Sequence, residues 1–198
     1  MPAGPLLVVI TGPSGVGKDS LLASLRDSGR SYHFGVTATT RPPRPGEKRE
    51  AGRFLRHLPA AAFESMLARG EFLEHAVVYG HRYGVPRAPI REALARGQDV
   101  VLRTDIQGAR YIKSVVPGAV TIFLLPPSWE ELARRLRARA SDSPQQMELR
   151  LRIAREELAA AGEFDHTVVN EDLDRCAQAV EAVLAAERAR PERQAVRV

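Results

Sequence analysis

Leu6-Leu-Val-Val-Ile10-Thr-Gly-Pro-Ser-Gly-Val-Gly-Lys18-Asp-Ser20 is the stretch that decides the fold. Leu6–Thr11 is a continuous leucine and β-branched run, the pattern of a central parallel strand buried on both faces. Gly12–Lys18 matches G-x-x-x-x-G-K directly after that strand. Lys18–Arg26 then reads as a helix with Leu21, Leu22 and Leu25 on one side. Gly12, Gly15 and Gly17 let successive backbone N–H groups of the loop (Ser14, Gly15, Val16 and Gly17, with Pro13 contributing none) turn inward as an anion nest. The helix start adds its positive dipole end, and the Lys18 ammonium can follow the outer phosphates of a nucleoside triphosphate. The residue after the lysine is normally a hydroxyl that holds Mg²⁺; here Asp19 stands there, followed by Ser20. A carboxylate beside a triphosphate is repelled unless a cation lies between them, so Ser20 and Asp19 are the candidate Mg²⁺ contacts.

Outward from this unit, short apolar strands alternate with helical patterns. Strands are expected at Phe34–Thr40, Phe72–Tyr79 (pairing across a turn at Gly80), Val100–Thr104, Val120–Leu125 and Thr167–Asn170. Helices are expected from Pro59 to Gly70, over Pro89–Arg96, around Ala109–Val115, after the Ser128/Glu131 capping box, after Ser143-Pro144 and over Leu173–Arg188. The alternation predicts an α/β domain with a mainly parallel sheet. Thr37–Pro89 is too long for a simple crossover and is expected to form a lobe of its own, while the Pro/Arg/Glu/Gln-rich tail from Ala189 is expected to be disordered.

The chain has 198 residues, 44% hydrophobic and 27% charged, the balance of a soluble globular domain. Its apolar runs are too short to span a bilayer, and nothing at the N-terminus resembles a secretory leader. The lone Cys176 sits in an alanine-rich helical pattern, so it reads as core packing, and a cytoplasmic setting is expected. The net charge of +5 comes almost wholly from arginine, with lysine only at 18, 48 and 113. Most of those arginines are expected on solvated helix faces, with no nucleic-acid or membrane partner. Histidines 33, 57, 75, 81 and 166 show no metal-ligand spacing and read as surface or packing residues.

The loop implies a nucleoside triphosphate, and Thr37-Ala-Thr-Thr-Arg41-Pro-Pro-Arg44-Pro-Gly-Glu47 narrows the acceptor. Arg41 and Arg44, three apart between prolines, form a stiff pair of forks suited to a phosphate monoester. Together with Gly70-Glu-Phe-Leu-Glu74, Tyr83-Gly84, Asp105-Ile-Gln-Gly108, Pro126-Pro-Ser128 and Val168-Val-Asn170, in that order, these motifs resemble the guanylate kinase family over residues 5–185. The resemblance implies a phosphate-loop kinase fold: a central five-stranded sheet flanked by helices (5–36, 98–130, 160–188), an inserted GMP-binding lobe (37–89), a helical lid (about 131–159) and the tail (189–198). It implies transfer of the γ-phosphate of ATP to GMP with Mg²⁺.

By the same resemblance, Arg41 and Arg44 grip the GMP phosphate with Tyr83, while Thr37, Glu74 and Asp105 read guanine. Guanine's N1–H and N2–H₂ suit a carboxylate, whereas adenine's acceptor N1 does not. Arg135, Arg139 and Arg150 are implied as lid arginines on the transferring phosphoryl group, and Asn170 as an adenine contact. Three departures stand out. No tyrosine occurs in Glu50–Arg56, where the family's first phosphate-binding tyrosine falls near Phe54 or Leu55, leaving Arg53 or Arg56 as substitutes. Val85 replaces a small hydroxyl residue, and Arg103 stands where the family usually has an acid. Two other readings stay open: a ribose 1,5-bisphosphate kinase, favoured by Lys18-Asp-Ser20 and Tyr83-Gly-Val85, and a non-catalytic binding module of the same fold.

Overall fold

Strand β1 (Leu7–Thr11) is buried at every position, and its side chains alternate between two cores. In this computed structural model, which describes residues 4–43, 54–138 and 144–198, β1 is the middle strand of a five-stranded sheet. The other strands are β2 (His33–Phe34), β7 (Val100–Arg103), β8 (Ala119–Leu125) and β9 (His166–Val169), in the order β2-β7-β1-β8-β9. Every neighbouring pair is parallel. Parallel strands need crossovers, and the crossover helices cover both faces.

On one face Leu6, Val8 and Ile10 meet Leu21, Leu22 and Leu25 of α1 (Lys18–Asp27), Leu132 and Leu136 of α5 (Trp129–Arg137), and Val180 and Leu184 of α7 (Leu173–Ala189). On the other, Leu7 and Val9 meet Ile90 and Ala93 of α3 (Arg87–Ala95) and Ala109 and Ile112 of α4 (Ile106–Val115). Each buried Leu, Ile or Val among them contributes about 1.5–3 kcal/mol on burial, which fixes the strand ends where the loops leave.

The expected single strand at Phe34–Thr40 is two. His33–Phe34 joins the parallel sheet, and β3 (Thr37–Thr39) joins a second sheet. The break falls at Gly35, where a Cβ would collide with the Leu102 side chain, so the chain crosses against the core and leaves it. The second sheet runs β4 (Leu55–His57), β3, β6 (His81–Pro86), β5 (Phe72–Val78). β5 and β6 are joined by Tyr79-Gly80, with φ of 49° and 77°, the signs a type I′ hairpin turn requires. Helix α2 (Ala60–Ala68) covers this sheet, stacking Phe63 on Phe72 with ring centroids 4.5 Å apart. The segment expected as a lobe thus has a sheet and a small core of its own.

Ser128 caps α5 by accepting from the Glu131 N–H at 3.2 Å, as its spacing predicts. Helix α6 (Pro144–Ala159) lies beside α5, and Arg155 covers the Trp129 ring at 4.5 Å. The Ser143 start signal lies outside the described residues. Residues 189–198, read as disordered from composition, carry contacts instead: Val196 and Val198 pack on the second core, and Arg193 donates to the carbonyls of Gly4 and Pro5.

Candidate active site

The loop from β1 to α1 is held from below. Val16 is buried in the core, and its carbonyl accepts from Asn170 Nδ2 at 2.7 Å. Gly17, the N-cap of α1, has φ 105°, and a Cβ there would strike that same amide. Asn170, expected at adenine, is therefore engaged in buttressing the loop from the end of β9. Lys18 Nζ curls over the loop and donates to the carbonyls of Gly12 (2.5 Å) and Pro13 (3.1 Å). Burial pushes its pKa down to about 8, outweighing the attraction of Glu157 and Asp19.

Glu157 of α6 was not singled out by sequence, because a carboxylate in Arg-Glu-Glu looks like a solvated helix face. Its Oε2 accepts the Ser14 N–H at 3.3 Å, so a protein carboxylate engages the phosphate loop. Burial raises its pKa against the pull of Lys18.

Across the cavity, β5 and the start of α4 bring two acids together. Glu74 is 3% exposed, and burial first, then the Asp105 charge, push its pKa up to about 8. Asp105 caps α4, accepting the Gly108 N–H at 2.9 Å; its pKa is raised by burial, with that hydrogen bond and Lys18 opposing. Gly108 explains its own place in Asp105-Ile-Gln-Gly108: a Cβ there would lie 2.6 Å from Glu74 Oε2. Thr37 is buried on β3, its hydroxyl 3.5 Å from the Arg103 carbonyl.

Arg41 is 8% exposed. Its N–H donates to Thr39 Oγ1 at 3.1 Å, and its guanidinium reaches the Pro42 carbonyl at 2.8 Å. His57, read as a surface or packing residue, donates from Nδ1 to the Arg41 carbonyl at 2.5 Å and so helps hold that turn. Tyr83 lines the cavity from β6. Phe54, near the expected tyrosine position, is core, against Phe34 at 5.6 Å; Leu55 faces the cavity and Arg56 is exposed. Arg44, Arg53 and Arg139 lie outside the described residues.

From the lid side, Arg135 bonds Glu131 Oε1 at 2.7 Å and reaches the Val16 and Asn170 carbonyls at 3.4 Å. Arg150 stacks over the Tyr79 ring at 4.6 Å, linking α6 to the hairpin of the second sheet. The phosphate loop, Lys18, Asp19, Ser20, Thr37, Arg41, Glu74, Tyr83, Asp105, Arg135, Arg150 and Glu157 all line one cavity of about 590 Å³.

The two candidate Mg²⁺ contacts fare differently. Ser20 is exposed at the cavity wall and fits a hydroxyl ligand for an ion that brings phosphate oxygens and water with it. Asp19 Oδ1 instead lies 2.6 Å from Arg103 Nε. Among the described residues no group of three or more His, Cys, Asp or Glu could hold a metal.

A family model described as guanylate kinase matches residues 5–187. A guanylate kinase of Gloeobacter violaceus is 50% identical over 186 residues, 92% of this chain and 90% of that relative. One from Nocardia farcinica is 46% identical over 177 residues, covering 88% and 91%. A crystal structure of guanylate kinase from Anaplasma phagocytophilum superposes with a TM-score of 0.80 at 30% identity, covering 97% of this chain and 90% of that one.

Proposed function

The chain belongs to the guanylate kinase family, and from that premise we propose how its own residues work on the two nucleotides. It is an ATP:GMP phosphotransferase. The observation that carries the residue-level reading is the cavity that joins an anion loop to the buried Glu74 and the half-buried Asp105. ATP enters with its outer phosphates on the Gly12–Lys18 loop. Lys18 exchanges the Gly12 and Pro13 carbonyls for phosphate oxygens, and Glu157 withdraws from Ser14. Ser20 would be the protein ligand of the Mg²⁺ that accompanies the triphosphate, and that ion would supply neutralising charge.

GMP takes the opposite end. The Glu74 and Asp105 carboxylates accept guanine's N1–H and N2–H₂, Thr37 adds a hydroxyl, and Arg41, Arg44 and Tyr83 hold the phosphate. A GMP phosphate oxygen, already anionic and needing no general base, forms the new bond to the γ-phosphorus. The bond from that phosphorus to the ADP oxygen breaks in line. Arg135, Arg139 and Arg150 close from the lid, carry the charge spread over the transferring group and exclude water. The rest of this chain's contribution is orientation. Cys176, whose thiol burial pushes up to about 11, is inert packing, which supports a reducing cytoplasm. Among the described residues no helix is long and apolar enough to cross a membrane.

A coupled ADP-release assay with GMP, AMP, UMP and ribose 1,5-bisphosphate as acceptors tests the reading. GMP is expected to be turned over with the highest kcat/KM by a wide margin. Preference for the ribose bisphosphate would overturn the guanine assignment of Glu74 and Asp105.

A further inference from the structure

Two departures from the usual phosphate-loop pattern, an acid at 19 and a cation at 103, lie far apart in sequence and meet in the fold. Arg103 ends β7, opposite Ile10 of β1, so its Cα is one strand away from the start of the phosphate loop. Its Nε is 2.6 Å from Asp19 Oδ1, with the arginine side chain 15% exposed and the aspartate 53%. The Nε–H is not directed along that line and makes no hydrogen bond, so charge rather than directed bonding holds the pair. Arg103 also lines the cavity shared with Lys18, and it is close enough to depress the Lys18 pKa.

We propose that Arg103 is a further substrate-contacting residue that binds the terminal phosphate of ATP, and that Asp19 is its positioning residue. This rests on the kinase reading above. In the usual arrangement a loop hydroxyl and a strand-end acid hold a metal against the phosphates. Here the strand end itself carries the positive charge. A guanidinium presents a planar fork that matches two phosphate oxygens, and a terminal phosphate with more charge than one carboxylate outcompetes Asp19 for it. Asp19 keeps the arginine aimed at the loop until nucleotide arrives. A carboxylate there is tolerated because the neighbouring cation belongs to the protein.

The test is isothermal titration of ATP and ADP, each in EDTA and again with Mg²⁺, on the wild type, Arg103→Gln and Asp19→Asn, alongside GMP. Arg103→Gln is expected to weaken metal-free ATP about tenfold, leaving ADP and GMP within twofold. Asp19→Asn is expected to move ATP affinity the other way, upward, because a competitor for the guanidinium is gone. In steady state Arg103→Gln lowers kcat more than it raises the KM for GMP, and Arg103→Lys restores part of the ATP affinity. Purely structural pairing predicts that both single variants lose melting temperature together and shift ATP affinity in the same direction, which overturns the proposal. Equal weakening of ADP overturns the assignment to the terminal phosphate. A wild type that turns over GMP while Arg103→Gln binds ATP normally sinks this inference and leaves the kinase reading intact.

Discussion

GMP affinity should rise with pH, and Glu74 sets by how much. The carboxylate must be ionised to accept guanine's N1–H, yet burial and the neighbouring Asp105 charge push its pKa up to about 8. At pH 7 roughly one site in ten carries the charge, and ionising the rest costs about 1.4 kcal/mol, a tenfold weakening. Because Glu74 is 3% exposed, solvent screening takes little from this figure. The apparent Kd for GMP should therefore fall nearly tenfold per unit from pH 6.5 to about 7.5 and level off above 8. The GMP phosphate loses its second proton near pH 6, below that window. Calorimetry at pH 7 in two buffers of different ionisation enthalpy should detect release of about 0.9 proton per GMP bound. Glu74→Gln should bind weakly and with a flat profile. A wild-type Kd that does not change between pH 6.5 and 8.5, with no proton released, would refute the assignment of Glu74 as the ionised guanine acceptor.

The remaining expectations follow from contacts around the same cavity. Gly108→Ala places a methyl 2.6 Å from Glu74 Oε2, displacing the carboxylate by most of an ångström. It should cut kcat/KM for GMP by roughly ten- to a hundredfold while sparing ATP affinity in titration. Glu157→Gln weakens the internal occupant of the Ser14 N–H, so ATP should bind about fivefold tighter by calorimetry, for a change of roughly 1 kcal/mol. Arg41→Met should raise the GMP KM about ten- to a hundredfold through loss of charged hydrogen bonds, with the Kd for ATP unchanged. Glu74 also acts on stability. Its folded pKa lies above the ordinary value of 4.5, so the protonated acid favours the fold and that advantage is lost as pH climbs toward 8. Glu74→Gln should then melt higher than wild type at pH 8 and more nearly alike at pH 5.

What was legible in the sequence was what the chain writes contiguously. The Leu6–Ser20 unit is strand, loop and helix in one run, and β1, the loop and α1 stand where its pattern puts them. The Ser128 cap is equally local. Glu74 and Asp105 are single acids, and without the surrounding motifs nothing distinguishes them from ordinary strand-end carboxylates; Gly108 gains its meaning only when α4 packs on β5. The three-residue β4 is too short for any alternation to register. Phe34–Thr40 has one apolar pattern and two destinations, because the contact that divides it, Gly35 against Leu102, is tertiary. Asn170 reads from sequence only as an adenine contact, and its bond to the Val16 carbonyl is a tertiary feature that no local pattern announces.

The charged groups around the phosphate loop share a physical trait: each is engaged with a partner inside the protein. Glu157 takes a loop N–H suited to phosphate, Lys18 rests on two loop carbonyls, and Asp19 holds Arg103. A charge without a partner in a partly desolvated cavity is costly, so these internal partners stabilise the charges they hold. On the proposed roles, nucleotide binding is an exchange of partners and not a docking onto bare charges, and that exchange would link the two substrates. Glu157 and Arg150 lie on the same helix, α6, one touching the phosphate loop and the other the Tyr79 ring of the second sheet. On those roles, an event at Glu157 when ATP binds would act on the helix that also carries the Arg150 contact to the second sheet.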